Sequence, residues 1–116
     1  MRGLPELLTP FEWRFARVGP DTVRTSVDSN SAVFAGHFPE RPVVPGVCLI
    51  DLVRQAAAEL GFPVPPGLDV ARARFVDAVR PGDELETTVS AGPDGQLTGA
   101  VRRRGEPVCQ IRFAAP

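Results

Sequence analysis

The sequence predicts an α+β domain in which an antiparallel sheet of about six strands wraps around one long central helix. The 116-residue chain has the length of a single domain, residues 1–116, and is long enough to bury a core. Several short runs alternate apolar and polar residues, which is the period of a half-buried strand. Only the run that begins at Pro45 repeats apolar residues at i, i+3 and i+4, the period of an amphipathic helix.

Two strands are predicted before the helix. Residues 11–18 place Phe11, Trp13 and Phe15 on one face, and residues 22–28 place Val23 and Val27 on one face. The Gly-Pro-Asp sequence at 19–21 is typical of a turn between them.

The predicted helix runs from Pro45 to Leu60, about fifteen residues and roughly 22 Å at the standard rise. Pro45 suits a first helical turn, where the missing N–H has no intrahelical partner to lose. Gly61 and Pro63 form a stop signal just beyond the last apolar residue. The apolar stripe consists of Leu49, Ile50, Val53, Ala56, Ala57 and Leu60.

Four further strands are predicted after the helix, separated by the turn sequences RPGDE, GPDG and RGE. They cover residues 69–79, 85–91, 96–103 and 107–114. One amphipathic helix covers one face of a sheet, so we expect the other face to be solvated or paired with a second copy.

The composition argues against several classes of protein. A formal charge of −1 gives no global footprint for nucleic-acid binding. Cys48 and Cys109 lie in apolar segments, which favours buried free thiols over a disulfide, and they are too few for a zinc cluster. The N-terminal residues lack the apolar core of a signal peptide, and no apolar stretch is long enough for a bilayer. We therefore expect a cytoplasmic protein with no membrane partner.

The strongest candidate site lies at the entrance to the helix. His37, the single histidine, precedes Gly46 in a proline-rich loop, and Asp51 follows His37 by 14 residues, on the second helical turn. Alone, each has a structural interpretation: a hydrogen-bonded histidine, a glycine that relieves crowding, and a solvated carboxylate stacked with Gln55 and Glu59. Together, a base, an acid and the open N–H groups of a helix start are the parts needed to remove an α-proton and expel a β-hydroxyl.

The stretch GHFPERPVVPGVCLIDLVRQAA resembles the signature of the β-hydroxyacyl-acyl-carrier-protein dehydratases of the hotdog fold. The segment ARFVDAVRPGDEL, at 73–85, is similar to the family's second signature, an Arg-Phe pair followed by V-x-P-G-D. The resemblance covers residues 34–85 and implies the hotdog fold. The matching positions of the first signature are Gly36, His37, Phe38, Pro39, Pro42, Pro45, Gly46, Asp51 and Gln55.

The resemblance implies a role for each of four residues. His37 corresponds to the base that removes the α-proton, and Asp51 to the acid that protonates the departing hydroxyl. The N–H of Gly46 corresponds to the oxyanion donor, and Gln55 to the residue that holds the acid. The family further implies a dimer in which each site takes its His and its acid from different subunits, a homodimer here or a heterodimer. The substrate arrives on the phosphopantetheine arm of an acyl carrier protein, and no metal or cofactor is required.

Three positions depart from the family pattern. Glu40 replaces a common glycine three residues from His37, Arg54 replaces a small or apolar residue, and the acid is Asp rather than Glu. Arg54 lies at i+3 from Asp51, and we expect it to point toward solvent or another acid, leaving desolvation dominant at Asp51.

A dehydratase of fatty-acid or polyketide biosynthesis is favoured. A thioesterase, with Asp51 aimed at water, and a non-catalytic partner subunit are the alternatives.

The arginines offer a candidate docking surface for an acidic carrier protein. Arg41, Arg72, Arg74 and the run at 102–104 are the residues concerned. The competing interpretation is that alternating strand arginines simply form a solvated face. Salt dependence distinguishes the two, because exposed charges are screened.

Overall fold

The computed structural model describes residues 13–28, 43–65 and 67–115. Within these ranges the order is two strands, one helix and four strands, as predicted. His37, Glu40, Arg41 and the start of the first predicted strand lie outside the described residues. The elements are β1 (Ala16–Arg17), β2 (Thr22–Ser26), α1 (Gly46–Glu59), β3 (Val70–Phe75), β4 (Glu84–Ala91), β5 (Leu97–Arg103) and β6 (Glu106–Phe113).

The six strands form one sheet in the order β1-β2-β4-β5-β6-β3, and every neighbouring pair is antiparallel. The β5–β6 hairpin turns at Arg104 and Gly105, whose positive φ angles of 54° and 78° are typical of a two-residue type I′ turn. Strand β3, the first after the helix, pairs with β6 rather than with β4 and forms one edge of the sheet. Within the described residues, the predicted antiparallel sheet with one helix is confirmed.

Helix α1 packs across β4 and β5 through its apolar stripe. The closest approach is between Val53 and Gly99: a Cβ added at Gly99 would lie 2.3 Å from Val53 Cγ1. Position 99 therefore has to be glycine for the helix to sit this close to the sheet. The buried residues of α1 are Cys48, Leu49, Leu52, Val53, Ala56 and Ala57.

The helix ends differ slightly from the prediction. Pro45 has an extended backbone, with ψ of 148°, and is the residue before the helix rather than part of its first turn. At the other end, Gly61 has φ of 93°, its N–H donates to Ala58 O, and the N–H of Phe62 donates to Ala57 O. This left-handed cap confirms the stop signal.

Two predicted strands differ most from the structure in length. In the described part of the first, only Ala16–Arg17 pairs with β2. The Thr25 hydroxyl donates to Arg14 O at 2.7 Å just before this short strand. The strand predicted over 69–79 ends at Phe75, because the N–H groups of Val76 and Asp77 both donate to Val108 O. All six residues of β3 are exposed. The expected difference between a buried apolar face and an exposed polar face of this strand is therefore absent.

Both cysteines are free and buried, in agreement with the prediction of unpaired thiols. Burial raises the pKa of Cys109 to about 12, so this thiol stays protonated and unreactive. No helix within 13–28, 43–65 and 67–115 is long and apolar enough to cross a membrane.

Candidate active site

Asp51 lies on the second turn of α1 and is held by Gln55, one turn later. The side-chain amide of Gln55 donates from Nε2 to Asp51 Oδ2 at 2.7 Å. Both residues are half-buried, whereas Glu59 on the next turn is exposed. The interpretation of this face as fully solvated therefore holds only for Glu59. The structure brings the predicted acid and its predicted positioning residue together.

The Asp51 carboxyl lies where ionisation is disfavoured. Burial raises the pKa of Asp51 above its ordinary value, and this is the largest influence on it. The Gln55 hydrogen bond, the charge of Arg54 and a hydrogen bond from Trp13 act in the opposite direction and lower the pKa by smaller amounts. The balance favours a carboxyl that keeps its proton to higher pH than an exposed aspartic acid, as a proton donor requires.

Trp13 was missed by sequence reasoning as a site residue. Its alternation with Phe15 predicted only a core position, and its indole is indeed buried. Its indole is also the smallest of the influences that lower the pKa of Asp51. No spacing in the sequence connects positions 13 and 51. The one available signal is that a buried tryptophan usually has a partner for its N–H.

Arg54 is directed away from Asp51. Its Nη2 donates to Leu68 O at 2.8 Å, and its guanidinium carbon lies 5.0 Å from the centre of the Phe113 ring. The prediction that desolvation outweighs Arg54 at Asp51 is confirmed. The predicted destination was wrong: the side chain ends on a backbone carbonyl and an aromatic face, which favour the flat guanidinium, rather than in solvent or on an acid.

Gly46 opens the helix beside the edge strand. A Cβ at Gly46 would lie 3.0 Å from Phe75 Cζ, so the ring covers the glycine closely. The N–H groups of Cys48 and Leu49 both donate to Pro45 O. The N–H groups of the first two helical residues, Gly46 and Val47, precede these bonds, as is usual at a helix N-terminus. Val47 and Phe75 are 49% and 46% exposed, so this helix start faces an open apolar surface.

Cys48 lies one turn before Asp51 on the same helix and does not compete with it. Burial, and to a smaller extent the charge of Asp51, raise the pKa of this thiol to about 11. Within the part of the chain that the structure describes, no group of three or more His, Cys, Asp and Glu side chains could hold a metal. The described site thus contains one carboxyl, one amide and one helix N-terminus. His37 is not among the described residues.

The basic surface is smaller than the sequence indicated. Arg103 does not point outward with its neighbours in the run at 102–104, because it bonds Asp77 and Asp83. On the outer face, Arg72 lies directly opposite Arg112 in the β3–β6 register. Of the candidate docking residues, Arg72, Arg74 and Arg102 remain on this face, and Arg112, which was not predicted from the sequence, joins them. Arg104 is exposed in the β5–β6 turn.

Comparison with known proteins identifies the family. A profile of the ApeI-like family, described as ApeI dehydratase, matches residues 20–111. The chain is 43% identical over 111 residues to the 3-hydroxyacyl-[acyl-carrier-protein] dehydratase FabZ of Burkholderia mallei, covering 77% of this chain and 70% of that enzyme. It is 36% identical over 106 residues to FabZ of Geobacillus sp. (strain WCH70), covering 77% and 70%.

A solved structure shares the fold. The dehydratase heterocomplex ApeI:P from Xenorhabdus doucetiae contains a chain that superposes with a TM-score of 0.68 at 23% identity, over 90% of this chain and 96% of that one. At that identity the match supports the architecture, while the profile and the curated relatives carry the relationship. The chain therefore belongs to the ApeI-like dehydratase family and has the hotdog fold of those enzymes.

Proposed function

We propose that this chain is a β-hydroxyacyl-acyl-carrier-protein dehydratase of fatty-acid or polyketide biosynthesis. It would eliminate water from a carrier-bound β-hydroxyacyl thioester and give the trans-2-enoyl thioester. The observation that carries this proposal is the half-buried Asp51 carboxyl, whose pKa burial raises and whose orientation Gln55 fixes. The relatives named FabZ support the same reaction.

We assign the roles that the resemblance to the dehydratase family implies. His37 takes the proton from the α-carbon, and the electron pair of that C–H bond forms the new C=C bond. The Cβ–O bond breaks, and the departing hydroxyl takes the proton of Asp51 and leaves as water. The N–H of Gly46 stabilises the negative charge that develops on the thioester oxygen. Gln55 is a positioning residue, since it acts through Asp51.

The chemistry at Asp51 favours elimination over thioester hydrolysis. A carboxylate that activates water has to be ionised, and burial at Asp51 favours the protonated form instead. The second alternative, a partner subunit of a heterodimeric dehydratase, is supported by the likeness to a chain of the ApeI:P heterocomplex.

We further propose that the working unit is a dimer, most simply a homodimer. Among the described strands, β3 is an exposed edge that pairs with β6 on one side only. Phe75 and Val76 at its end, together with Val47 at the helix start, extend this edge as an apolar surface. Pairing of two copies along β3 would cover it, and each site would then draw on both subunits. Sedimentation that shows a stable, active monomer at micromolar concentration would refute this.

One assay separates the candidate functions. Purified protein is mixed with a β-hydroxyacyl carrier protein, and the intact mass of the carrier is followed. Loss of one water supports the dehydratase, loss of the acyl group supports a thioesterase, and no change in mass supports a non-catalytic subunit. The first outcome also tests the acyl carrier protein as the partner that delivers the substrate.

A further inference from the structure

A second cluster of charged residues lies at the end of β5 and takes no part in the proposed reaction. Arg103 Nη1 donates to Asp83 Oδ2 and to Ala78 O, each at 2.8 Å, and Nη2 bonds Asp77 Oδ2. The Arg103 side chain is only 20% exposed, so solvent screens these contacts less than it would on an open surface. One guanidinium thus binds two carboxylates and a carbonyl at once.

Those contacts fix the loop of residues 76–83, which joins β3 to β4. Asp83 Oδ2 also accepts the Arg80 N–H at 2.9 Å, and Asp77 Oδ1 accepts the Ala78 N–H at 2.8 Å. Each carboxylate is therefore shared between the guanidinium and the loop backbone. The planar Arg103 guanidinium holds the two carboxylates at a fixed separation, which the ammonium group of a lysine would not do.

The 76–83 loop in turn holds the chain at two places, one just before α1 and one just after β2. The N–H of Val44, two residues before α1, donates to Val79 O at 2.8 Å. The N–H of Val27, just past β2, donates to Asp83 O at 2.8 Å, and Gly82 N–H donates back to Val27 O at 2.9 Å. Both valines are buried, so these bonds lie in the protein interior. In the sequence, His37 lies between them.

We propose that Arg103 is a positioning residue for the elimination. Its guanidinium locks the 76–83 loop, and the loop sets where the chain enters α1 and hence where Gly46 and Asp51 stand. The proposal rests on the dehydratase function above, and it assigns Arg103 no contact with substrate. It predicts that loss of the fork changes the helix entrance before it changes the rest of the fold.

The test compares Arg103→Met and Arg103→Lys with Arg24→Met. Arg24 is a matched control, because it also contacts two carboxylates, Glu84 and Glu86, but on the exposed face of the sheet. Two quantities are measured on the full chain: kcat and KM for a β-hydroxyacyl pantetheine thioester, and hydrogen exchange at the amides of Val44 and Phe62. Phe62 reports the opposite end of the same helix.

For Arg103→Met we expect kcat to fall about 10- to 100-fold with KM little changed, as for a small misplacement of catalytic groups. Hydrogen exchange at the Val44 amide should become about tenfold faster or more, because this factor corresponds to the free energy of one charge-assisted hydrogen bond of Arg103. Exchange at the Phe62 amide should not change. For Arg103→Lys, both kcat and the exchange rate at Val44 should lie between the values for Arg103→Met and for the wild type. Arg24→Met should leave both measurements unchanged.

Three results overturn the inference. Equal acceleration at Val44 and Phe62 would mean that Arg103 only stabilises the whole fold. Unchanged exchange at Val44 would mean that it does not hold the helix entrance, and faster exchange with unchanged kcat would mean that the entrance does not govern catalysis. A wild-type protein that does not remove water refutes the proposed function instead, and the exchange rates at Val44 still decide whether Arg103 holds the entrance.

Discussion

Gln55 donates its side-chain amide to the Asp51 carboxylate at 2.7 Å, across one turn of α1. The bond stabilises the ionised carboxylate, while burial of Asp51 disfavours it, and burial is the larger influence. The carboxyl is therefore oriented by a hydrogen bond without being held in its charged form. Acid catalysis requires this combination, because the donor needs a fixed direction and a proton at the pH of turnover.

Replacing Asp51 by Asn should abolish dehydration while the protein still folds and dimerises. Asn is close to isosteric and keeps a partner for Gln55 but has no proton to transfer to the hydroxyl. Loss of a positioned general acid lowers kcat by about 10²- to 10⁴-fold. The measurement is the rate of water loss from a carrier-bound substrate, with Asp94→Asn on an exposed turn as the control. Near-normal turnover in Asp51→Asn would contradict the acid role.

The same substitution should stabilise the fold at neutral pH. Because the folded protein raises the pKa of Asp51, the folded state binds this proton more tightly than the unfolded chain does. Stability from this group is complete below the unfolded carboxyl pKa, about 3.9, and is lost as pH rises through the folded pKa. Asp51→Asn should therefore raise Tm at pH 7 and lose that advantage near pH 3. An equal or larger gain at pH 3 would contradict this.

Gln55→Leu should move the high-pH limb of the rate profile to higher pH. Asp51 has to be protonated to act, so the rate falls as pH rises through its pKa. Removing the Gln55 bond removes an influence that lowers this pKa, and kcat should fall because the acid is no longer oriented.

Arg54→Ala is the matched comparison for that limb. The charge of Arg54 lowers the Asp51 pKa less than the Gln55 bond does, and its guanidinium is engaged by Leu68 and Phe113. The high-pH limb of the Arg54→Ala rate profile should therefore also move to higher pH, but by less than that of Gln55→Leu. A larger shift in Arg54→Ala than in Gln55→Leu would mean that Arg54 and Asp51 act as a pair.

Docking of the carrier protein should depend on salt. Arg72, Arg74, Arg102 and Arg112 share the outer face, and the direct opposition of Arg72 and Arg112 is unfavourable unless an anion lies nearby. Turnover of carrier-bound substrate should fall as salt rises, while turnover of a small pantetheine thioester changes little. Arg112→Gln should weaken the salt dependence. The same salt response for both substrates would exclude electrostatic docking.

Gly99→Ala should destabilise the protein by about 1–3 kcal/mol, the usual cost of overpacking a core. The added methyl would meet Val53 at 2.3 Å, in the seam between α1 and β5. Gly92→Ala is the control, since its Cβ would have only ordinary contacts at 3.7 Å. The measurement is urea unfolding, and Val53→Ala in the Gly99→Ala background should restore part of the loss. Equal effects at positions 92 and 99 would contradict the close approach.

The elements of this fold could be predicted from the sequence because their signals are local. The i, i+3, i+4 stripe and Gly61 define the helix within a residue at each end, and alternation finds the strands. Interactions that cross the fold could not be predicted. The local spacing of Arg54 and Asp51 gave no sign of Leu68 or Phe113, and a run of three arginines does not show that only Arg103 turns to Asp77 and Asp83.

The contact between Phe75 and Gly46 links two positions that are 29 residues apart in the chain. A side chain at position 46 requires the ring at position 75 to withdraw, and a smaller residue at position 75 removes that restriction. The two positions should therefore drift together during evolution rather than independently. Among relatives with this fold, an alanine or serine at the helix start should be accompanied by an aliphatic residue in place of the phenylalanine.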